Sequence, residues 1–178
     1  MITQNLINCM YLVGLTNEAP DVRKIDGSSA KINYYYNSGS LAKVRLQTVE
    51  SKKDQTYVNT ILTTDTTNWD ICTFGFGTGN ASPTLQDYSL ENAIIDDVFE
   101  YQTSGYKLNT DYSFVQSAMT ATYRYTGSNT ITISEVGLFD KMLSSDRLPH
   151  SFMLARDVLE TPITVSNGDV FTVTMTLS

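Results

Sequence analysis

Polar and apolar residues alternate along much of this chain with the period of a β-strand. In the C-terminal stretch "DVFTVTMTLS", Phe171, Val173, Met175 and Leu177 take one face and Val170, Thr172, Thr174 and Thr176 the other. That is the pattern of a half-buried strand with a threonine-covered outer side. "YSFVQSAMTATYRYT" sets Val115, Met119, Ala121, Tyr123 and Tyr125 against Gln116, Thr120, Thr122 and Arg124. "TITISEVGLFD" begins with Ile131 and Ile133 in phase, yet its next apolar residues are Val136 and Leu138. The parity slips by one, which predicts a bulge at Ser134-Glu135. Shorter strand patterns lie in "AKINYYYN", "AKVRLQTV", "YVNTILTT" and "WDICTFGFG".

Turn signals punctuate these runs: Asp26-Gly27-Ser28-Ser29, Asn37-Ser38-Gly39-Ser40, Thr126-Gly127-Ser128-Asn129 and Ser166-Asn167-Gly168-Asp169. Short strands so punctuated predict a mainly β fold, an antiparallel β-sandwich or barrel-like domain. Short helical segments are expected over residues 3–13, around Thr84 to Asp87 as a turn, and over Asp140 to Ser145. A boundary near Asp65 to Asn68 divides residues 1–66, an N-terminal extension or part of the sandwich, from a β-sandwich module over residues 67–178.

Composition narrows the function classes. The 178 residues are 41% hydrophobic and 17% charged, with a net charge of −7. An acidic chain with no cluster of Lys and Arg argues against nucleic acid, since phosphate neutralisation needs such clusters; Lys52-Lys53 beside Asp54 reads as a solvated pair. Cys9 and Cys72 suit neither a disulfide framework nor a zinc site and read as small buried thiols. No basic segment precedes the short apolar run Cys9 to Leu15, and no stretch has the length to span a bilayer, so a soluble, unprocessed product without a membrane partner is expected.

The stretch "FGFGTGNASPTLQDYSLENAI" raises the question of phosphate binding through Gly75, Gly77 and Gly79. A dinucleotide fingerprint needs G-x-G-x-x-G between a strand and a helix. Here the third glycine comes one residue early, Pro83 stands where the helix would run, and Asp87 and Glu91 would repel a phosphate. The glycines read instead as a backbone device at a sheet corner, with Gly77 or Gly79 at positive φ or packed against another backbone. Asp87, Glu91, Asp96, Asp97 and Glu100 lack both the aromatic groove of a glycosidase and the spacing of a calcium loop, and read as solvated loop acids. His150, the single histidine, has no G-x-S-x-G elbow to work with and reads as a loop residue. No catalytic, cofactor or metal residue emerges. Tyr34, Tyr35, Tyr36 and Trp69 offer a contact surface, because aromatic side chains give large contact area at little entropy.

The order of the C-terminal segments carries a resemblance. Gly77, Gly79, Pro83, Leu90 and Glu91 are followed by Glu135-Val136-Gly137-Leu138-Phe139, then Ala155, Arg156 and Pro162, then Val173 and Met175 in the closing strand. This succession, over residues 70 to 178, resembles a recurrent module of tailed-bacteriophage structural proteins, including the N-terminal part of tail-collar fibre proteins. The first 65 residues carry none of it, and no repetitive fibre shaft follows. The resemblance implies a non-enzymatic virion component on a β-sandwich, assembled in the host cytoplasm into the tail, baseplate or neck. It also implies other virion proteins as partners and a homo-oligomeric ring or adaptor. A second reading is a carbohydrate-binding or capsid decoration protein that meets host or mucosal glycans through its exposed tyrosines. Within the module, Glu135 sits in a strand between apolar neighbours and needs a partner, for which Arg156 in the next strand is the expected residue. Gly75, Gly77, Gly79, Glu135, Gly137 and Arg156 are thus expected to be architectural.

Overall fold

The computed structural model describes residues 1–8, 21–31, 45–46, 60–61, 73–94, 98–108, 117–143 and 149–177. After a helical turn over residues 4–8, the strands are β1 (Asp21–Arg23), β2 (Ser29–Lys31), β3 (Arg45–Leu46), β4 (Thr60–Ile61) and β5 (Thr73–Gly77). There follow β6 (Phe99–Leu108), β7 (Ser117–Tyr125), β8 (Ile131–Leu143), β9 (Pro149–Val165) and β10 (Val170–Leu177). Two three-stranded antiparallel sheets, ordered β5-β8-β9 and β10-β7-β6, form a sandwich. β1 and β2 make an antiparallel hairpin, and β3 pairs with β4 in parallel.

One aromatic side chain ties the layers together. Phe76 of β5 meets Phe99 of β6 at 4.6 Å, Tyr123 of β7 at 5.1 Å and Phe171 of β10 at 5.2 Å between ring centroids. A single residue of the first sheet therefore touches every strand of the second, in tilted and edge-on geometries that aromatic quadrupoles favour. The Tyr123 hydroxyl accepts a bond from the Phe74 N–H at 3.1 Å, so this buried phenol has a partner in the opposite layer. Around the aromatics pack Ile133, Val136, Leu138, Phe152, Leu154 and Val165, all buried. Leu6, Val22 and Ala30 belong to the same cluster, so the described N-terminal residues share the sandwich core.

The N-terminal residues reach that core through β9. Ile2 bridges Ala155, the Thr3 N–H donates to the Leu154 carbonyl at 2.9 Å, and the Arg156 N–H donates to the Met1 carbonyl at 2.9 Å. Buried Asn5 joins β1 to β9: its amide nitrogen donates to the carbonyls of Arg23 (2.7 Å) and Met153 (3.2 Å), and its oxygen accepts from the Arg23 N–H. The turns fall where Gly and Asp predict them. Gly27 and Gly168 take φ of +83° and +89°, and Asp26 and Asp169 accept the N–H groups of Ser28 and Ser166.

One expectation is met and three are corrected. The bulge expected at Ser134-Glu135 is present as a register shift there, with the extra residues in its partner: Ile133 pairs with Ile163 and Glu135 with Val158, leaving 159–162 of β9 opposite Ser134 alone. Core-facing positions then switch from Ile133 to Val136 and Leu138. Asp140 to Leu143 continue β8 and are not helical, because the start of β9 offers them a strand to pair with. His150 lies within β9 opposite Met142, so it is a strand residue. β6, which the sequence pattern missed, runs for ten residues with a register shift between Tyr101 and Thr103. Of the expected helix over 3–13, residues 4–8 are helical and the remainder lies outside the described residues.

Candidate functional site

The most elaborate polar arrangement among the described residues lies on the face of the β5-β8-β9 sheet turned away from the aromatic core. Along β5, Phe74 and Phe76 enter the core, which leaves Gly75 and Gly77 on the other face, paired with Gly137 and Glu135 of β8. Three glycines thus clear a patch of sheet. Phe139 covers part of it, with its ring 2.7 Å from where a Gly75 Cβ would stand and 2.6 Å from one at Gly137. The Glu135 side chain lies across Gly77, where a Cβ would also come within 2.7 Å of the Asn92 carbonyl.

Across this patch runs the segment 78–93. The Glu135 carboxylate, fully buried, accepts the N–H of Gly79 at 3.0 Å, of Glu91 at 3.1 Å and of Asn92 at 2.8 Å, and the Arg156 Nε donates to it at 2.8 Å. Arg156 Nη1 donates to Asp87 at 2.9 Å, and Nη2 lies 3.6 Å from the Glu91 carboxylate. Glu91 in turn accepts the N–H groups of Asn80 and Ala81, both at 2.8 Å, folding the segment on itself. The Asn92 side chain donates to the Thr78 hydroxyl. The Asp87 carboxylate accepts the Thr84 N–H and hydroxyl, which makes the turn at Thr84 to Asp87. From outside, the Gln4 N–H donates to the Leu85 carbonyl at 2.7 Å, and the Arg23 guanidinium stacks on Tyr88 at 4.0 Å.

Electrostatics follow from this closure. Burial pushes the Glu135 carboxyl up, but the Asn92 N–H, the Arg156 guanidinium and the N–H groups of Glu91 and Gly79 together hold it below the ordinary 4.5. At Asp87 burial is likewise outweighed by the Thr84 N–H and hydroxyl and then by Arg156, which hold that carboxyl below 3.8. Burial alone would lower Arg156, whereas Asp87 and Glu135 raise it. One buried cation is therefore held among carboxylates that stay ionised. Two of the guanidinium's corners are spent on hydrogen bonds, the third faces Glu91, and the Arg156 side chain is 4% exposed. No face of it is left for a substrate. Among the described residues, no three His, Cys, Asp or Glu side chains are grouped to hold a metal ion.

Glu135 and Arg156, expected to pair, meet here, and Gly77, Gly79 and Gly137 surround them. Gly77 and Gly79 do not have positive φ; it is the space above them that a side chain would fill. A Cβ at Gly79 would lie 2.6 Å from both the Glu135 carboxylate and the Glu91 Cβ. The reading of Asp87 as a solvated acid is corrected, since it binds Arg156; Glu91 is an exposed loop acid, as expected, and closes the loop on itself. Glu100 lies on β6, while Asp96 and Asp97 lie outside the described residues. Tyr34, Tyr35, Tyr36, Trp69, Cys9, Cys72 and Lys52 to Asp54 also lie outside them. What sequence reading missed are the donors from Gly79, Glu91 and Asn92, since a backbone N–H has no residue type to announce it. No helix among the described residues is long and apolar enough to cross a membrane. The chain matches no family model, no curated protein and no solved structure.

Proposed function

We propose that this protein is a structural component of a tailed-bacteriophage particle, in the tail, baseplate or neck. It acts there as an oligomeric ring or adaptor, through protein–protein contacts and without catalysis. One observation carries the reading. The segments whose order resembles the phage module are distant in sequence, yet Gly77, Gly79, Glu91, Glu135 and Arg156 converge on one node, with Gly137 paired to Arg156 in the sheet. The buried charges of that node, Glu135 and Arg156, are directed at the protein itself, as suits a part whose work is to keep its shape under assembly. Sheet surfaces rich in threonine and poor in charge fit contact with neighbours.

The test is incorporation. Gradient-purified particles from cells producing the phage that encodes this chain should contain it at a fixed ratio to the capsid protein by mass spectrometry. Gold-labelled antibody should decorate one station of the particle. Recovery of the protein only in the soluble fraction, never with particles, would defeat the reading.

A further inference from the structure

Among the described residues the sandwich has four edge strands, and three are managed against further pairing. β5 is covered by the segment 92–94: Gly77 bridges Ala93, and the Ile94 N–H donates to the Phe76 carbonyl. β9 is covered at 154–156 by Met1 to Thr3 and beyond that carries Asp157, Glu160 and Pro162. β6 has a register shift at Tyr101/Thr103 and carries the exposed Glu100. Charge, proline, bulges and covering segments are the usual means of blunting an edge. Among the described residues, β10 has none of them. "VFTVTMTL" is an eight-residue strand without a charge or a proline, and no register shift interrupts its pairing with β7.

Which groups this edge offers follows from the ladder. The Tyr125 N–H donates to the Asp169 carbonyl, and the odd-numbered pairs Tyr123–Phe171 and Ala121–Val173 continue in phase. In an antiparallel pair the bonded positions alternate, so the N–H and C=O groups of Val170, Thr172, Thr174 and Thr176 point away from β7. Thr172 and Thr174 already meet Thr122 and Thr120 across the sheet, hydroxyl to hydroxyl, at 2.9 and 3.1 Å. Beneath the edge, a groove of about 620 Å³ between β9 and β10 shows Leu159, Ile163, Phe171, Val173 and Met175.

We propose that β10 is a homotypic edge, pairing antiparallel with β10 of a second copy about a two-fold axis. The two β10-β7-β6 sheets become one six-stranded sheet. A two-fold sets a strand against itself, so any charge in it would face its like or a near neighbour, a destabilising arrangement. A foreign strand imposes no such condition, and β10 meets it along its whole length. Self-pairing places threonine against threonine on the outer face, continuing the existing ladder, and apolar residues against apolar over the groove. This inference rests on the reading of the protein as a self-assembling structural part, but it has its own test.

Amide hydrogen exchange of the full chain, followed residue by residue at several protein concentrations beside sedimentation, reads the edge directly. The Thr172, Thr174 and Thr176 amides should exchange about tenfold or more slowly in the dimer than on dilution to monomer. Thr174→Lys, which keeps every backbone group but sets like charges across the two-fold, should sediment as a folded monomer with those amides fast. Thr174→Pro, tolerated on an edge strand, should do the same; Asp157→Lys on β9 should leave the dimer intact. Fast exchange of these amides at every concentration overturns the inference, as does protection that persists in the monomer or a Thr174→Lys protein that still dimerises. A dimer that survives Thr174→Lys leaves the particle reading standing, since incorporation decides that separately. Protection that appears only when another virion protein is added identifies a foreign strand and also overturns it.

Discussion

The two faces of the β5-β8-β9 sheet are built from alternate residues of the same strands and held by different physics. On the inner face, Phe74, Phe76, Val136 and Leu138 meet the opposite sheet through dispersion and water exclusion, forces that depend on area and little on direction. On the outer face, Gly77, Glu135 and Arg156 hold the segment 78–93 through bonds whose donors and acceptors must each be met. The inner scheme degrades gradually when a side chain shrinks. The outer one fails when a single partner is withdrawn, because what remains is a charge without water or a counter-ion.

The largest effect should come from the outer face. Glu135→Ala strands the Arg156 Nε and three backbone N–H groups, and is expected to destabilise the fold by about 3–5 kcal/mol at neutral pH in urea unfolding. A loss below about 1 kcal/mol would mean that water reaches the node and replaces the carboxylate.

Phe76→Ala should come close, at about 3–4 kcal/mol, because its ring reaches three strands of the other sheet. Acid separates the two. Glu135 and Asp87 titrate below 4.5 and 3.8 in the folded protein, so their contribution is complete above those values and is lost as pH falls through the lower folded ones. Wild type and Phe76→Ala should therefore lose stability in parallel below about pH 4.5, while Glu135→Ala shows a flatter profile. Identical acid slopes in all three proteins would remove the electrostatic half of the comparison.

A thermodynamic cycle sharpens it further. Glu135→Ala combined with Arg156→Ala should be less damaging than the sum of the single changes, with a coupling of about 1–3 kcal/mol. Simple additivity would show the pair to be neighbours that do not interact. Smaller still is the contrast between two glycines. Gly77→Ala should lose about 1–3 kcal/mol, from overpacking against the Asn92 carbonyl and the Glu135 side chain. Gly168→Ala, where a Cβ meets open space and only φ is unfavourable, should lose about 1 kcal/mol. Reversal of that order in matched melts would point to conformation, not room, as what the glycine-rich segment requires.

The inner face was legible in the sequence and the outer one only in part. Alternation in "DVFTVTMTLS" and "TATYRY" marks β10 and β7 because apolar burial on one side leaves a period of two. β6 escaped because its apolar residues move from the odd positions Phe99 and Tyr101 to the even positions Tyr106 and Leu108 beyond its register shift, which breaks that period. Glu135 declared itself as a carboxylate among apolar neighbours, and Arg156 as the cation in the following strand. Asp87 did not, since a loop acid looks the same whether it meets water or a guanidinium 69 residues away. The glycines were visible, and the Asn92 carbonyl against Gly77 is the neighbouring backbone they signalled; the glutamate that shares their room, brought in by another strand, was not visible.

The bonds between Met1 to Thr3 and β9 have a consequence for how the chain is made. The Thr3 hydroxyl donates to the carbonyl of a residue 150 positions later. At ribosomal rates of roughly 5–20 residues per second, Thr3 has left the peptidyl-transferase centre on the order of ten seconds before its partner exists. Throughout that interval Leu6, which ends in the common core, has no β9 to pack on. The closure of Met1 to Thr3 on β9 therefore comes late, a long-range contact of the kind that slows folding. In a crowded cell, the nascent N-terminal segment is where a chaperone would find its hold.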